Sequence, residues 1–412
     1  MSLVQKIFIA ILISIMSGSF FLPVHAQTVS TTSRSTEISS PPTSTDTYAR
    51  AKVASIIEEG KREIDGEEQS YQKISLQILS GPDQGKRVEV DYGGSFVIQG
   101  LSRVKVGDLV VVTKMFNVVE NKNVYYVTDY YRGTSLIIVV GIFFILAVIF
   151  GRKRGIMAIV GMIFSALVLF YFITPRILHG GNPLTASIIG GILIIVFSLY
   201  LSHGFNKRTS IALVCSLLTL GLTIGFDLAF VALTKLSGAG SEEAFYLQVG
   251  TGSIDLRGLL LGGIIIGVLG VLDDVTTAQV ASIEEISKAN TRLTFKELYK
   301  SGLSVGREHI ASLVNTLVLA YVGAAFPLIL LYSLNKNVPL WMLLNSNFIA
   351  EELVRTAVGS IALVLAVPIT TVIAAYLYRG SGIISSPTSL SLTRTDRIRR
   401  LWRENNTPKH HH

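Results

Sequence analysis

The chain has 412 residues, half of them hydrophobic, with a formal charge of +8 and one cysteine, Cys215. Its mean hydropathy of +0.53 excludes a single soluble domain and requires several membrane spans. One cysteine excludes a disulfide framework or thiolate cluster, and the basic clusters flank apolar runs as membrane topology demands, which excludes nucleic acid as a partner.

Residues 1–26 read as a signal segment: Lys6 supplies the positive n-region, Ile7 to Ile15 the apolar stretch, and Val24-His25-Ala26 a small-residue cleavage site. Residues 27–49 are rich in Ser, Thr and Pro and are expected to be a disordered leader. Residues 50–132 change character. Alternating runs such as Lys73 to Ile78 and Leu109 to Val112, separated by glycine turns, predict a small antiparallel barrel or sandwich. Tyr125, Tyr126, Tyr130 and Tyr131 fit cross-strand packing and then an aromatic belt where the chain enters the membrane.

Residues 133–380 form the helical domain, with about seven apolar spans near 135–150, 155–174, 184–203, 209–233, 256–283, 308–334 and 349–378. Arg152-Lys153-Arg154, Lys207-Arg208, the Lys288 to Arg307 segment and the basic tail in 381–412 fall on one side. The other side carries chiefly Arg176, Lys235, Arg257 and Lys336. Positive-inside then puts the C-terminus in the cytoplasm and the β-domain outside, in agreement with the signal segment. The fold class expected is a polytopic α-helical membrane protein with a small extracytoplasmic all-β domain. The final His410-His411-His412 resembles a purification-tag remnant and is left out of the metal reasoning.

The fifth span carries the chemistry. Counted from Gly258, Asp273 and Asp274 lie about 22 Å along the helix, inside a hydrocarbon core about 30 Å thick. Carboxylates there mark an ion or solute path, unless the helix starts earlier or tilts and they sit at the headgroups. Successive residues point about 100° apart, so the pair cannot share one ion unless the helix unwinds. Asp273 shares a face with Thr277 and Glu284, and Asp274 shares one with Glu285. With Thr276 and Gln279 these offer hard oxygen donors. Glycines 262, 263, 267 and 270 permit close helix approach and would suit a discontinuous helix.

In the sixth span Arg307 and His309 are candidate cationic partners for these acids. Glu308, Ser312, Asn315 and Thr316 make a polar stripe expected to meet the aspartate helix. Glu351, Glu352 and Arg355 open the seventh span, Glu351 and Arg355 at ion-pair spacing, either as an interfacial pair or as an outer gate. Pro368 with Thr370 and Thr371 predicts a kink. Asp227, late in the fourth span and near the outer surface, is a secondary candidate. It lies toward the opposite side from Asp273, which argues against a shared hydrolytic water. No nucleotide-binding, zinc-protease or nucleophile-elbow motif appears, so no cofactor and no enzymatic activity are expected.

The runs Gly267 to Gln279, Gly306 to Ala320 and Glu352 to Ser360, with the double-tyrosine approach to the first span, resemble the YibE/F family of bacterial multi-pass membrane proteins. That resemblance implies a polytopic fold in the bacterial plasma membrane and an ill-defined transport role. It draws attention to Asp273, Asp274, Gln279, Glu285, Arg307, His309, Asn315 and Arg355. The function expected is passage of a small solute or ion, driven by a proton or cation gradient or by diffusion; the rival is a non-transporting envelope scaffold. Partners expected are the bilayer, a small ion or solute, and a second copy or an envelope protein at the β-domain.

Overall fold

A computed structural model of the chain describes residues 47–64, 67–93, 103–117, 122–251, 254–334 and 339–379. The signal segment, most of the leader and the basic tail lie outside them. The chain divides into two units, 1–147 and 148–412.

In the first unit, β1 (Thr47–Ile64), β2 (Glu67–Ile78), β3 (Arg87–Tyr92), β4 (Leu109–Asn117) and β5 (Lys122–Tyr130) form one antiparallel sheet in the order β3-β2-β1-β4-β5. Alternation works as a period of two requires: Ile74, Leu76 and Ile78 are buried. The register sets Leu76 against Val53 and Val88, and Ile74 against Val90. Bulges in β1 between Val53 and Ser55, and between Ile56 and Glu58, accompany a curl that brings β3 close to β5. The product is a partial barrel rather than two stacked sheets. Gly85, at φ +88°, takes the left-handed turn position and donates its amide to the Ile78 carbonyl at 2.8 Å, closing the β2–β3 hairpin. Gln72 pairs with the backbone of Val104 in both directions, at 2.8 and 3.2 Å, and so pins the segment before β4.

Asp83, in the β2–β3 turn, accepts from Lys86 at 2.6 Å, from Lys114 at 2.5 Å and from the Tyr125 hydroxyl at 2.8 Å. Lys114 above all, then Lys86 and Tyr125, hold its carboxyl well below the usual carboxylate range. Tyr125 therefore serves this cluster, while the Tyr130 hydroxyl donates to the Arg103 carbonyl and Arg50 lies over the Tyr131 ring.

The helices are α1 (Gly133–Val168), continued by a π-turn at Leu169–Ile173 into α2 (Thr174–Leu178), then α3 (Pro183–His203), α4 (Lys207–Leu233), α5 (Glu242–Thr251), α6 (Leu256–Ala289), α7 (Phe295–Ala324), α8 (Phe326–Leu334), α9 (Leu340–Leu344) and α10 (Asn347–Tyr378). Short polar residues start several of them. Asn182 accepts from the Thr185 amide, Asn206 from the Thr209 amide, and Thr294 forms a capping box with Glu297.

Among the described residues five helices are long and apolar enough to cross a membrane: Gly133–Leu178, α3, α4, α6 and α10. The seven spans expected from the sequence reduce to this number for two reasons. The first two apolar runs are joined into one 46-residue helical stretch, broken only at Arg152 (φ 50°, ψ −132°). The sixth is divided at Ala325, which leaves α7 carrying Arg307, Glu308 and His309 and α8 only nine residues long.

α6 is the hub of the second unit. α3 runs parallel to it, with Ser187 against Gly262 and Ser198 beside Asp273. α10 is also parallel, with Arg355 against Gly263 and Thr371 bonded to Gln279. α4 is antiparallel, pairing Ser216 with Thr276 and Arg208 with Glu284. α7 is antiparallel too, with Gly302 on Ile283 and Tyr321 near Gly267. Glycine allows the two tightest helix–helix approaches: a Cβ on Gly262 would stand 2.3 Å from Ser187 Oγ, and one on Gly306 would stand 2.3 Å from Val367. α6 itself runs unbroken through its glycines, so the discontinuous helix expected there does not form. α10 likewise continues through Pro368 as one helix.

Candidate functional site

Asp273 sits half-buried in the middle of α6, where its Oδ2 accepts from Ser198 of α3 at a long 3.4 Å. Its Oδ1 and the hydroxyl of Thr277, one turn on, are buried with no hydrogen-bond partner among the described residues. An unsatisfied carboxylate oxygen beside an unsatisfied hydroxyl is costly in an apolar bundle unless something else is bound there at some stage. Asp274 points elsewhere, as helical geometry demands. It is exposed, and the titratable group whose field reaches it is His203 at the end of α3. Gly263, Gly267, Gly270 and Asp274 fall at spacings of four, three and four along one stripe of α6; a Cβ on Gly270 would meet nothing within 4 Å.

The remaining candidates separate. Gln279 is fully buried, and its amide nitrogen donates to the Gly302 carbonyl and to Thr371 Oγ1, each at 2.8 Å. It thereby ties α6 to α7 and α10. Glu284 and Glu285 do not pair with Arg307 or His309. Arg208 of α4 takes both, through Nε and Nη2, and Lys288 adds contacts at 2.8 and 3.2 Å. Arg307 is exposed and His309 half-buried, and neither forms an ion pair among the described residues. Asn315 is exposed along with Glu308, Ser312 and Thr316. The expected meeting of that stripe with the aspartates is overturned, because α7 turns Leu298, Gly302 and Gly306 inward and its polar stripe outward.

At the other end of the bundle the expected Glu351–Arg355 pair is replaced. Arg355 Nε bonds Glu352 at 3.3 Å, and buried Glu351 accepts the Gly240 amide at 3.0 Å, closing the loop before α5 onto α10. Asp227, which the sequence places near the outer surface, is 0 % exposed. Neither of its carboxylate oxygens has a hydrogen-bond partner among the described residues. A face of α4 made of Ser216, Thr219, Thr223 and Asp227, all buried, runs from the level of Asp273 to Asp227. Ser198 and Arg208 escaped notice in the sequence because each lies some 75 residues from the acid it meets. No cluster of three or more His, Cys, Asp or Glu residues suited to a metal occurs among the described residues.

Five helices long and apolar enough to cross a membrane, one of them the hub α6 with carboxylates midway along it, define a multi-pass α-helical membrane protein. Residues 139–380, more than half of the chain, match the family described as YibE/F-like protein, and the chain belongs to that family. No curated protein and no solved structure matches it.

Proposed function

We propose that the helical unit conducts or transports a small solute or ion along the face of α6 that carries Asp273. One observation supports this most: a mid-helix carboxylate with one oxygen and the adjacent Thr277 hydroxyl left unpartnered, held by Ser198 alone. On the same helix, packing between helices does satisfy the hydroxyl of Thr276 and the amide nitrogen of Gln279. No nucleotide-binding motif appears in the sequence, so an ion gradient or diffusion drives passage in this reading.

The topology that accompanies it has seven crossings. The 46-residue stretch is about 69 Å long at 1.5 Å per residue, twice the hydrocarbon thickness, and it breaks beside Lys153 and Arg154. α7 and α8 together supply the sixth crossing. The β-domain then lies outside the cytoplasm and the C-terminus inside, with the basic loops cytoplasmic.

Proteoliposomes loaded with a pH-sensitive dye, challenged with cation gradients and small solutes, test the proposal. Flux should vanish in Asp273→Asn while insertion and helical content stay normal. Equal flux in wild type and Asp273→Asn would reject this path. The scaffold reading has one observation in its favour, the outward polar stripe of Glu308, Ser312, Asn315 and Thr316, which a protein neighbour would satisfy better than lipid. It expects no flux in any variant, and loss of assembly on Asn315→Leu.

A further inference from the structure

We propose that Asp227 is a proton-binding site whose protonation decides whether Arg355 pairs with Glu352 or with Asp227 itself. The inference deepens the transport reading and rests on it for its role in coupling, though not for the chemistry of the site.

Asp227 is completely buried, and both carboxylate oxygens lack a donor among the described residues. Burying an ionised carboxylate with neither a paired charge nor hydrogen bonds costs far more than burying the neutral acid. The surroundings offer no second stabiliser. On α6 the residues at this level are Ile264, Ile265 and Val268, all buried and apolar. The titratable groups of α3 are Tyr200 and His203, near its far end, and α4 adds only Lys207, Arg208 and Cys215 toward its own start. From α10 come Glu351, engaged by Gly240, then Glu352 and Arg355. Arg355 is the charged group whose field reaches Asp227, and it is bonded instead to Glu352 at 3.3 Å. Its guanidinium also lies 3.5 Å from where a Gly263 Cβ would stand, so the missing side chain leaves it room to move.

The two arrangements are chemically complete. With the proton bound, Asp227 is neutral and Arg355 belongs to Glu352, the pairing the structure has. When the proton leaves to water, the O–H bond breaks, the carboxylate forms, and the Arg355 guanidinium is the cation, among the described residues, whose field reaches it. The reverse step takes a proton from hydronium and releases water. A metal ion is the poorer ligand for this pocket, since it needs several oxygen donors and Arg355 repels it. The file of Thr223, Thr219 and Ser216 hydroxyls places Asp227 in line with Asp273. By the α4–α6 register the two acids are about eight residues, or about 12 Å, apart along the axis.

Infrared difference spectra of the full chain in lipid, recorded on a pH jump, read the site directly. The expected result is a protonated-carboxyl C=O band that is lost in Asp227→Asn, returns at a shifted frequency in Asp227→Glu, and persists in Asp273→Asn. Glu352→Gln, which frees Arg355 for Asp227, should shrink the same band at the same pH. Superposable wild-type and Asp227→Asn spectra would mean that buried water alone fills the pocket, and would overturn the site. A band untouched by Glu352→Gln would overturn the exchange of Arg355. Because Asn mimics the neutral acid, Asp227→Asn should insert and fold normally. Silence in the flux assay with the band intact refutes transport and leaves the site standing, whereas a missing band refutes the site whatever the flux.

Discussion

Replacing Gln279 by leucine separates helix tying from solute passage. The side chain is 0 % exposed and its amide makes two interhelical bonds, one to α7 and one to α10. Bonds of this kind in membranes average about 0.6 kcal/mol and reach about 1.7 kcal/mol, so two contribute about 1–3 kcal/mol. Two features lower the figure. Thr371 keeps its own donation to the Val367 carbonyl at 2.6 Å, so its hydroxyl is not left without an acceptor. Gln279 Oε1 is buried without a partner among the described residues, so removing it relieves a small penalty. Leucine nearly conserves the volume. The expected loss is therefore about 1–2 kcal/mol, a five- to thirtyfold fall in the folded-to-unfolded ratio. Gln279→Ala should lose more, because the space between Gly302, Gly306 and Thr371 empties as well. Reversible denaturant titration in bicelles, followed by circular dichroism, measures both. A leucine variant as stable as wild type would refute the assignment of Gln279 as the tie among three helices.

Gly262→Ala and Gly306→Ala should each destabilise the bundle in the same titration, since their new Cβ atoms collide with Ser187 and Val367; Gly270→Ala should be neutral or stabilising by up to about 1 kcal/mol, as it meets nothing and favours helix. Arg208→Gln should lower stability by about 1 kcal/mol and weaken its salt dependence, because Glu284 and Glu285 lose the guanidinium that bridges them to α4. Asp83→Asn should flatten the acid limb of β-domain unfolding in the full chain. A depressed folded-state pKa gives stabilisation that is whole at neutral pH and is lost progressively as pH falls below about 4, so the wild type should lose stability there and the variant should not. Tryptophan-free probes in the β-domain, such as tyrosine fluorescence or backbone hydrogen exchange, follow that limb.

Local patterns that repeat along the chain were legible. The alternation through Ile74, Leu76 and Ile78 placed a strand face correctly, and helical geometry separated Asp273 from Asp274 before any coordinates. Facing was not legible. A stripe such as Glu308, Ser312, Asn315 and Thr316 is visible in the sequence, but periodicity alone cannot say whether it looks inward or outward. Here the small residues Gly302 and Gly306 decided it, because close approach to Ile283 and Val367 is possible only on their side. Partner choice escaped for a related reason. Arg307 is near Glu284 in the chain, yet Arg208 reaches it because α4 returns antiparallel to α6. The count of spans hinged on two single residues, Arg152, whose backbone breaks a helix that composition treats as two runs, and Ala325, which divides the sixth run. Asp227 looked peripheral by its position in α4, and only the packing of α6 and α10 over it made it buried.

The faces of α6 give the two adjacent aspartates different neighbours and hence different reactivities. Asp273 is half-buried beside Ser198, whereas Asp274 is exposed, one turn from Gly270, where a Cβ would meet nothing within 4 Å. A lipid-soluble carboxyl reagent such as a hydrophobic carbodiimide enters sideways from the bilayer, not through an aqueous mouth. It should label Asp274 first and spare Asp273, while a water-soluble carbodiimide should prefer neither. A reagent arriving from that side meets Asp274, on the outer stripe of the hub helix, before it meets Asp273.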